Sequence, residues 1–186
     1  MNVNIEKTIK EIVRKLIPVR SFSEEELASA RSIVNKLNSQ LIGLMYESKR
    51  GRELLAENAD GENINETVML TINELLPSAK EFTSALQDYW LELIHAAIKK
   101  TAQTQRLPRF EKAFVLIEIT APKYSDNSKL WDTSNRAINL IINNLKGIFF
   151  KDDNFEHMAF GVISNWGEEA KTIIKIMPFE KLVNVI

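Results

Sequence analysis

The chemistry this sequence can offer rests on three carboxylates, Asp132, Asp152 and Asp153, in the stretch LWDTSNRAINLIINNLKGIFFKDDN from Leu130 to Asn154. Carboxylates bind hard divalent cations: Mg2+ takes one or two of them and fills its remaining positions with water and phosphate oxygens. An ion held in this way activates water and stabilises charge on oxygen when a phosphodiester is cleaved. Asp132, Asp152 and Asp153 are therefore the candidate metal ligands, provided the fold brings them together. Asn135, Arg136, Lys146 and Lys151 stand near them in sequence. Each piece also has a purely local use, because Asp is a common N-cap and an Asp-Asp pair a common turn. Residue type alone leaves both uses open.

The elements that must position these groups are legible in the same stretch. Asp132 and Asn135 occupy the N-cap and N3 positions of a predicted helix. Ala137, Ile138, Ile141, Ile142 and Leu145 follow at helical spacing. Gly147 ends that helix, and Ile148-Phe149-Phe150 reads as a short strand with Asp152 and Asp153 at its end. If the helix start and the strand end are neighbours, the three carboxylates converge.

Around this stretch the chain divides at about residue 60. Residues 3–17 form an amphipathic helix with Ile5, Ile9, Ile12, Val13 and Leu16 in its stripe, stopped by Pro18. Ser23-Glu24-Glu25-Glu26 is a capping box, with Phe22 and Leu27 placed as a hydrophobic staple. The helix it opens carries Leu27, Ala30, Val34, Leu37, Leu41 and Leu44 in a heptad pattern, which serves either a coiled-coil seam or packing on a neighbouring helix. Residues 47–66 lose periodicity, and their second half reads as a linker. Lys49, Arg50 and Arg52 make a small basic cluster within it.

Residues 61–186 read as the main domain. Thr67 to Ile72 alternate like a strand, and Ser78-Ala79-Lys80-Glu81 is a second capping box. It opens a helix with Phe82, Leu86, Tyr89, Trp90, Leu93, Ala97 and Ile98 on its apolar side and His95 as a surface or core-edge residue. Residues 113–120, AFVLIEIT, make the strongest strand. Residues 155–164 and 170–177 read as two more strands joined as a hairpin through Asn165-Trp166-Gly167-Glu168. The order β-α-β-α-β-β-β gives an α+β fold: a small mixed sheet packed with two helices, preceded by an N-terminal α-helical hairpin.

Composition narrows the function classes. The chain has 186 residues, no cysteine and two histidines, which removes disulfides and thiolate metal sites and leaves too few histidines for a histidine-based zinc site without carboxylate help. Its net charge is −1 and its pI about 6.2, so any nucleic-acid contact must come from a local basic patch. No run approaches the roughly 18 apolar residues of a membrane span. The N-terminus lacks the pattern of a signal peptide, and the expected location is cytoplasmic.

The order of these pieces resembles the RusA-like family of Holliday junction resolvases over Val68 to Ile176. The residues that carry it are Glu74-Leu75-Leu76-Pro77-Ser78 before the long helix and Trp131-Asp132-Thr133-Ser134-Asn135-Arg136-Ala137. The Ile141-Ile142-Asn143-Asn144-Leu145 helix end, Asp152-Asp153-Asn154 and the closing strands complete it. The resemblance implies a Mg2+-dependent structure-specific endodeoxyribonuclease of a phage or mobile element, working as a homodimer on branched DNA in recombination and repair. It makes Asp132 and Asp153 the catalytic carboxylates, with Asp152 a further metal ligand and Asn135, Arg136 and Lys151 in support. The sequence also departs from the family pattern. Ser134 stands where the second aspartate is expected, Asn139 where a lysine is expected, and Asn143 where the helix-end aspartate is expected. Serine is a poor substitute for a hard anionic ligand. Three readings are then open: a homologue with weakened or lost cleavage that acts as a DNA-associated or protein-interaction scaffold, an active nuclease with a reduced ligand set, and an interaction module working through its N-terminal helices.

Overall fold

The computed structural model describes residues 57–78, 83–122 and 137–183, with Leu37 and Glu53 as isolated positions. The expected N-terminal helical hairpin and the basic cluster at residues 49–52 lie outside the described residues.

The protein is α+β, built on a five-stranded mixed sheet. In chain order the elements are β1 (Ala59–Ile64), β2 (Thr67–Ile72), α1 (Ser84–Thr104), β3 (Ala113–Pro122), α2 (Ile138–Leu145), β4 (Met158–Gly167), β5 (Lys171–Pro178) and α3 (Phe179–Val183). The sheet order is β1-β2-β5-β3-β4, antiparallel throughout except for the parallel pair β3 and β4. Burial alternates residue by residue along β2, β3 and β5. One face of the sheet is therefore core, where α1 lies against β1 and β2 and touches α2.

The strands expected at residues 67–72 and 113–120 form, with Val68, Leu70, Ile72, Val115, Ile117 and Ile119 all fully buried. The linker reading of the residues before them is corrected, because Ala59–Ile64 is strand β1, which straddles the expected division at residue 60. β1 and β2 join through Asn65-Glu66, both at positive φ (51° and 62°), the geometry of a tight two-residue hairpin. The strand escapes a periodicity search because its inward positions, Ala59, Gly61 and Asn63, are small or polar. Gly61 is required there: a Cβ would stand 2.6 Å from the Ala97 carbonyl oxygen of α1.

The long helix has the expected apolar side, burying Tyr89, Trp90, Leu93, Ala97 and Ile98, and His95 is exposed. Its cap differs from expectation. α1 begins at Ser84, and Thr83 accepts a hydrogen bond from the Leu86 amide (3.3 Å), so the capping box at Ser78 does not open it.

Two strand expectations at the C-terminal end are also corrected. Residues 158–167 and 171–178 are strands but do not pair as a hairpin, because β3 lies between them, parallel to β4 and antiparallel to β5. The interleaved order puts β3, whose inward positions are buried along its whole length, between two strands and leaves the more exposed β4 at the edge. Asn165-Trp166-Gly167 continue β4 alongside Thr120-Ala121-Pro122, and Glu168–Ala170 then pass over the end of β3. Ile148-Phe149-Phe150 is not a strand either. Its backbone closes a turn after α2, with Phe149 N bonded to the Leu145 carbonyl (3.0 Å) and Gly147 N to the Phe150 carbonyl (2.8 Å). The run is apolar because Phe149 and Phe150 are fully buried in the core.

Candidate functional site

The described part of the site is built at the C-terminal end of α2. The helix buries Ile138, Leu140, Ile141, Ile142 and Leu145, and Gly147 (φ +80°) ends it in the left-handed conformation a glycine favours. Its start is not the one expected. Ala137 is the N-cap residue and makes no side-chain cap bond, which corrects the N-cap role assigned to Asp132. The Ala137 amide instead donates to the Pro77 carbonyl (3.1 Å), tying the start of α2 to the Glu74–Ser78 segment. Asp132, Ser134, Asn135 and Arg136 lie outside the described residues.

Beyond α2, buried Phe149 and Phe150 hold the exposed turn Lys151–Asn154. The Phe110 amide donates to the Phe149 carbonyl (2.7 Å), fastening this turn to the approach of β3. Asp152 organises the turn: its Oδ1 accepts from the Asp153 amide (3.0 Å) and its Oδ2 from Asn154 Nδ2 (3.1 Å). Asn154 Oδ1 in turn accepts from the amides of Glu156 (3.0 Å) and His157 (3.3 Å). It also meets His157 Nδ1 at 2.9 Å. The aspartate pair is thus first of all a self-satisfied polar turn.

Both carboxylates also face one cation. Lys146, at the C-cap of α2, places Nζ 3.1 Å from Asp153 Oδ1 and 3.5 Å from Asp152 Oδ1. A lysine at a helix C-terminus also meets the negative end of the helix dipole. The Asp153 carboxylate, then Asp152, raises the Lys146 ammonium above its ordinary pKa. The Asp153 amide, with the Asp153 carboxyl and Lys146 adding to it, holds Asp152 below the usual carboxylate range. The site is therefore an ammonium seated between two carboxyl groups.

This arrangement decides the fit to a divalent ion. Two carboxylates suffice for many Mg2+ sites, but the Lys146 ammonium stands at their shared face. Among the described residues no group of three or more Asp, Glu, His or Cys side chains converges as a metal site. Asp152 and Asp153 alone, as they stand, do not fit a tightly held Mg2+. Beside the turn an open hollow of ≈ 350 Å³ is lined by Arg109, Phe110, Glu111, Lys151 and His157. Lys151 was a sequence expectation. Arg109 and His157 were not, because only the docking of residues 109–111 against the turn brings them to Lys151.

A second polar cluster sits under the Glu74–Ser78 segment. Glu74 Oε1 accepts from the Tyr89 hydroxyl and from Asn58 Nδ2 (3.4 Å). The Thr172 hydroxyl donates to the Glu74 carbonyl (2.8 Å) and accepts from the Leu76 amide (3.0 Å). Burial pushes the Glu74 carboxyl up, against the lowering effect of the Tyr89 bond, and pushes the Tyr89 hydroxyl well above its ordinary range. No sequence spacing announces this cluster, since Asn58, Glu74 and Tyr89 come from three separate parts of the chain.

Compared with known proteins, the chain matches no family model and no curated protein sequence. Among the described residues no helix is long and apolar enough to cross a membrane.

Proposed function

We propose that the protein is a RusA-like Holliday junction resolvase homologue with weakened or lost nuclease activity, which binds branched DNA in the cytoplasm as a homodimeric scaffold. The observation that supports this reading is the ion pairing of Lys146 with Asp152 and Asp153, the carboxylates to which the resemblance gives the metal. An ammonium held on the ligand face competes with a divalent ion for the same oxygens. The losses at Ser134, Asn139 and Asn143 act in the same direction. The hollow beside the turn carries two cations, Arg109 and Lys151, alongside Glu111, and these two are the described side chains there that could meet a phosphodiester backbone.

The same hollow is what the active-nuclease reading would use, with Asp132 and Asp153 holding a Mg2+ beside a bound phosphate. A synthetic four-way junction separates the two readings. The scaffold reading expects a salt-sensitive gel shift with no nicking in Mg2+ or Mn2+, and a weaker shift for Lys151→Ala. Nicking that requires the metal and disappears in Asp153→Asn would replace it with the nuclease reading. Absence of any junction binding would remove both.

A further inference from the structure

The two edges of the sheet are built differently. β1 at one edge carries Asp60 and Glu62 outward and is backed by α1, the usual protection against strand-to-strand association. β4 at the other edge has none of these devices. Its ten residues, Met158 to Gly167, contain no charge and no proline, and among the described residues no strand pairs with its outer side. It also carries large apolar side chains in the open: Phe160 is 51% exposed, Ile163 43% and Trp166 40%.

We infer that β4 is the site at which two copies of this chain join, pairing antiparallel across a two-fold axis at Ile163 into one continuous sheet. The register follows from the strand itself. When identical strands pair about a two-fold axis normal to the sheet, opposite residues must lie on the same face. Phe160, Val162, Ser164 and Trp166 stand beside the buried β3 positions Val115 to Ala121, hence on the helix-bearing face, while Ile163 stands beside Glu118 on the open face. Placing the axis at Ile163 sets Ile163 against its own copy and Val162 against Ser164. It also sets Phe160 against Trp166, twice over. Aromatic cross-strand pairs are among the stabilising contacts of antiparallel sheets. The absence of charge matters here, because pairing takes the edge side chains out of water and a charge without a partner there would be costly. A charged peptide from another protein would gain nothing from this edge beyond its backbone bonds, whereas a second β4 is complementary side chain by side chain.

The inference gives a surface to the homodimer of the proposed function, but it rests on the composition and register of β4 and not on the nuclease likeness. The chain has no cysteine, so single cysteines report the register in the full-length protein. Across an antiparallel pair the Cα atoms lie about 4.5–5.5 Å apart, within the span a disulfide bridges. Ile163→Cys should therefore cross-link to a dimer under mild oxidation. Asn165→Cys, which the register places about 14 Å from its own copy along the strands, should remain uncross-linked. By light scattering at tens of micromolar the unmodified chain should be a dimer, and Ile163→Lys a monomer with an unchanged circular dichroism spectrum. A monomeric unmodified chain, a dimer that persists in Ile163→Lys, or equal cross-linking at both cysteines would overturn the inference. A dimer that behaves as expected but fails to bind junctions would overturn the proposed function and leave this interface standing.

Discussion

Phe149 and Phe155 flank the candidate site, and truncating each to alanine tests how the site is held. Both are phenylalanines within a few residues of Asp152, yet Phe149 is fully buried and Phe155 is 81% exposed. A buried Phe→Ala change removes the transfer free energy of the ring and leaves a cavity, together about 3–5 kcal/mol. Phe149 should fall in that range, because its ring sits in the core while its backbone is fixed on both sides, to Leu145 and to Phe110. Set against a total stability of about 5–15 kcal/mol for a domain, this is a large fraction. At about 2–4 °C per kcal/mol for a chain of this size, the melting temperature should drop by roughly 6–20 °C. Phe155→Ala removes the same atoms from water-facing surface and should stay within about 0.5 kcal/mol. Urea titration followed by far-UV circular dichroism reads both, with an unchanged slope expected if only stability moves. Equal costs for the two substitutions, or a Phe149→Ala cost below about 1 kcal/mol, would refute the packing that seats the aspartate turn on the core.

Two further substitutions test the rest of the framework. Gly61→Ala puts a Cβ against the Ala97 carbonyl and Thr101 Oγ1 of α1, and overpacking of this kind costs about 1–3 kcal/mol; a neutral result by the same titration would show that β1 does not lie against the helix. Glu74→Gln tests the buried carboxyl. Its pKa is raised in the folded state, so the folded protein binds more protons than the unfolded chain, and stability falls as pH rises from the ordinary carboxylate range through the raised value. Gln keeps an acceptor for Tyr89 and removes the charge, so the variant should melt higher than the unmodified protein near pH 7. The difference should close as pH falls below the ordinary range. A variant less stable at every pH would show that the Tyr89 and Asn58 bonds favour the carboxylate outright.

How much of this was legible in the sequence depends on where each element takes its signal. β2, β3, the apolar face of α1 and the Gly147 stop were legible, because each carries a period or a backbone requirement within its own residues. β1 was not, since its fit against α1 depends on having almost no side chain at Gly61, which reads as linker. The separation of β4 from β5 was not legible, because proximity in sequence favours a hairpin, while which strand takes the centre is a property of the whole sheet. Ile148-Phe149-Phe150 carries the composition of a strand for a different reason, burial of a turn. At the site, Asp152 and Asp153 were visible as residues, but their pairing with Lys146 depends on the turn at Gly147 folding back. Arg109 and His157 join Lys151 only through tertiary contact.

The two aspartates of the turn do different work, and this bears on what the site can be. Asp152 spends both oxygens on the local backbone and on Asn154, so its presence is accounted for by the turn alone and implies no ligand. Asp153 makes no such local bond with its carboxylate among the described residues; its described partner is Lys146, a side chain that can swing away. If any metal or phosphate chemistry survives here, Asp153 is the residue free to take part in it and Lys146 is the residue that must move. Asp152→Asn damages the turn under either reading and cannot distinguish them. Asp153→Asn leaves the backbone pattern intact and changes only the charge that faces the ligand position, which is why the junction assay turns on that substitution.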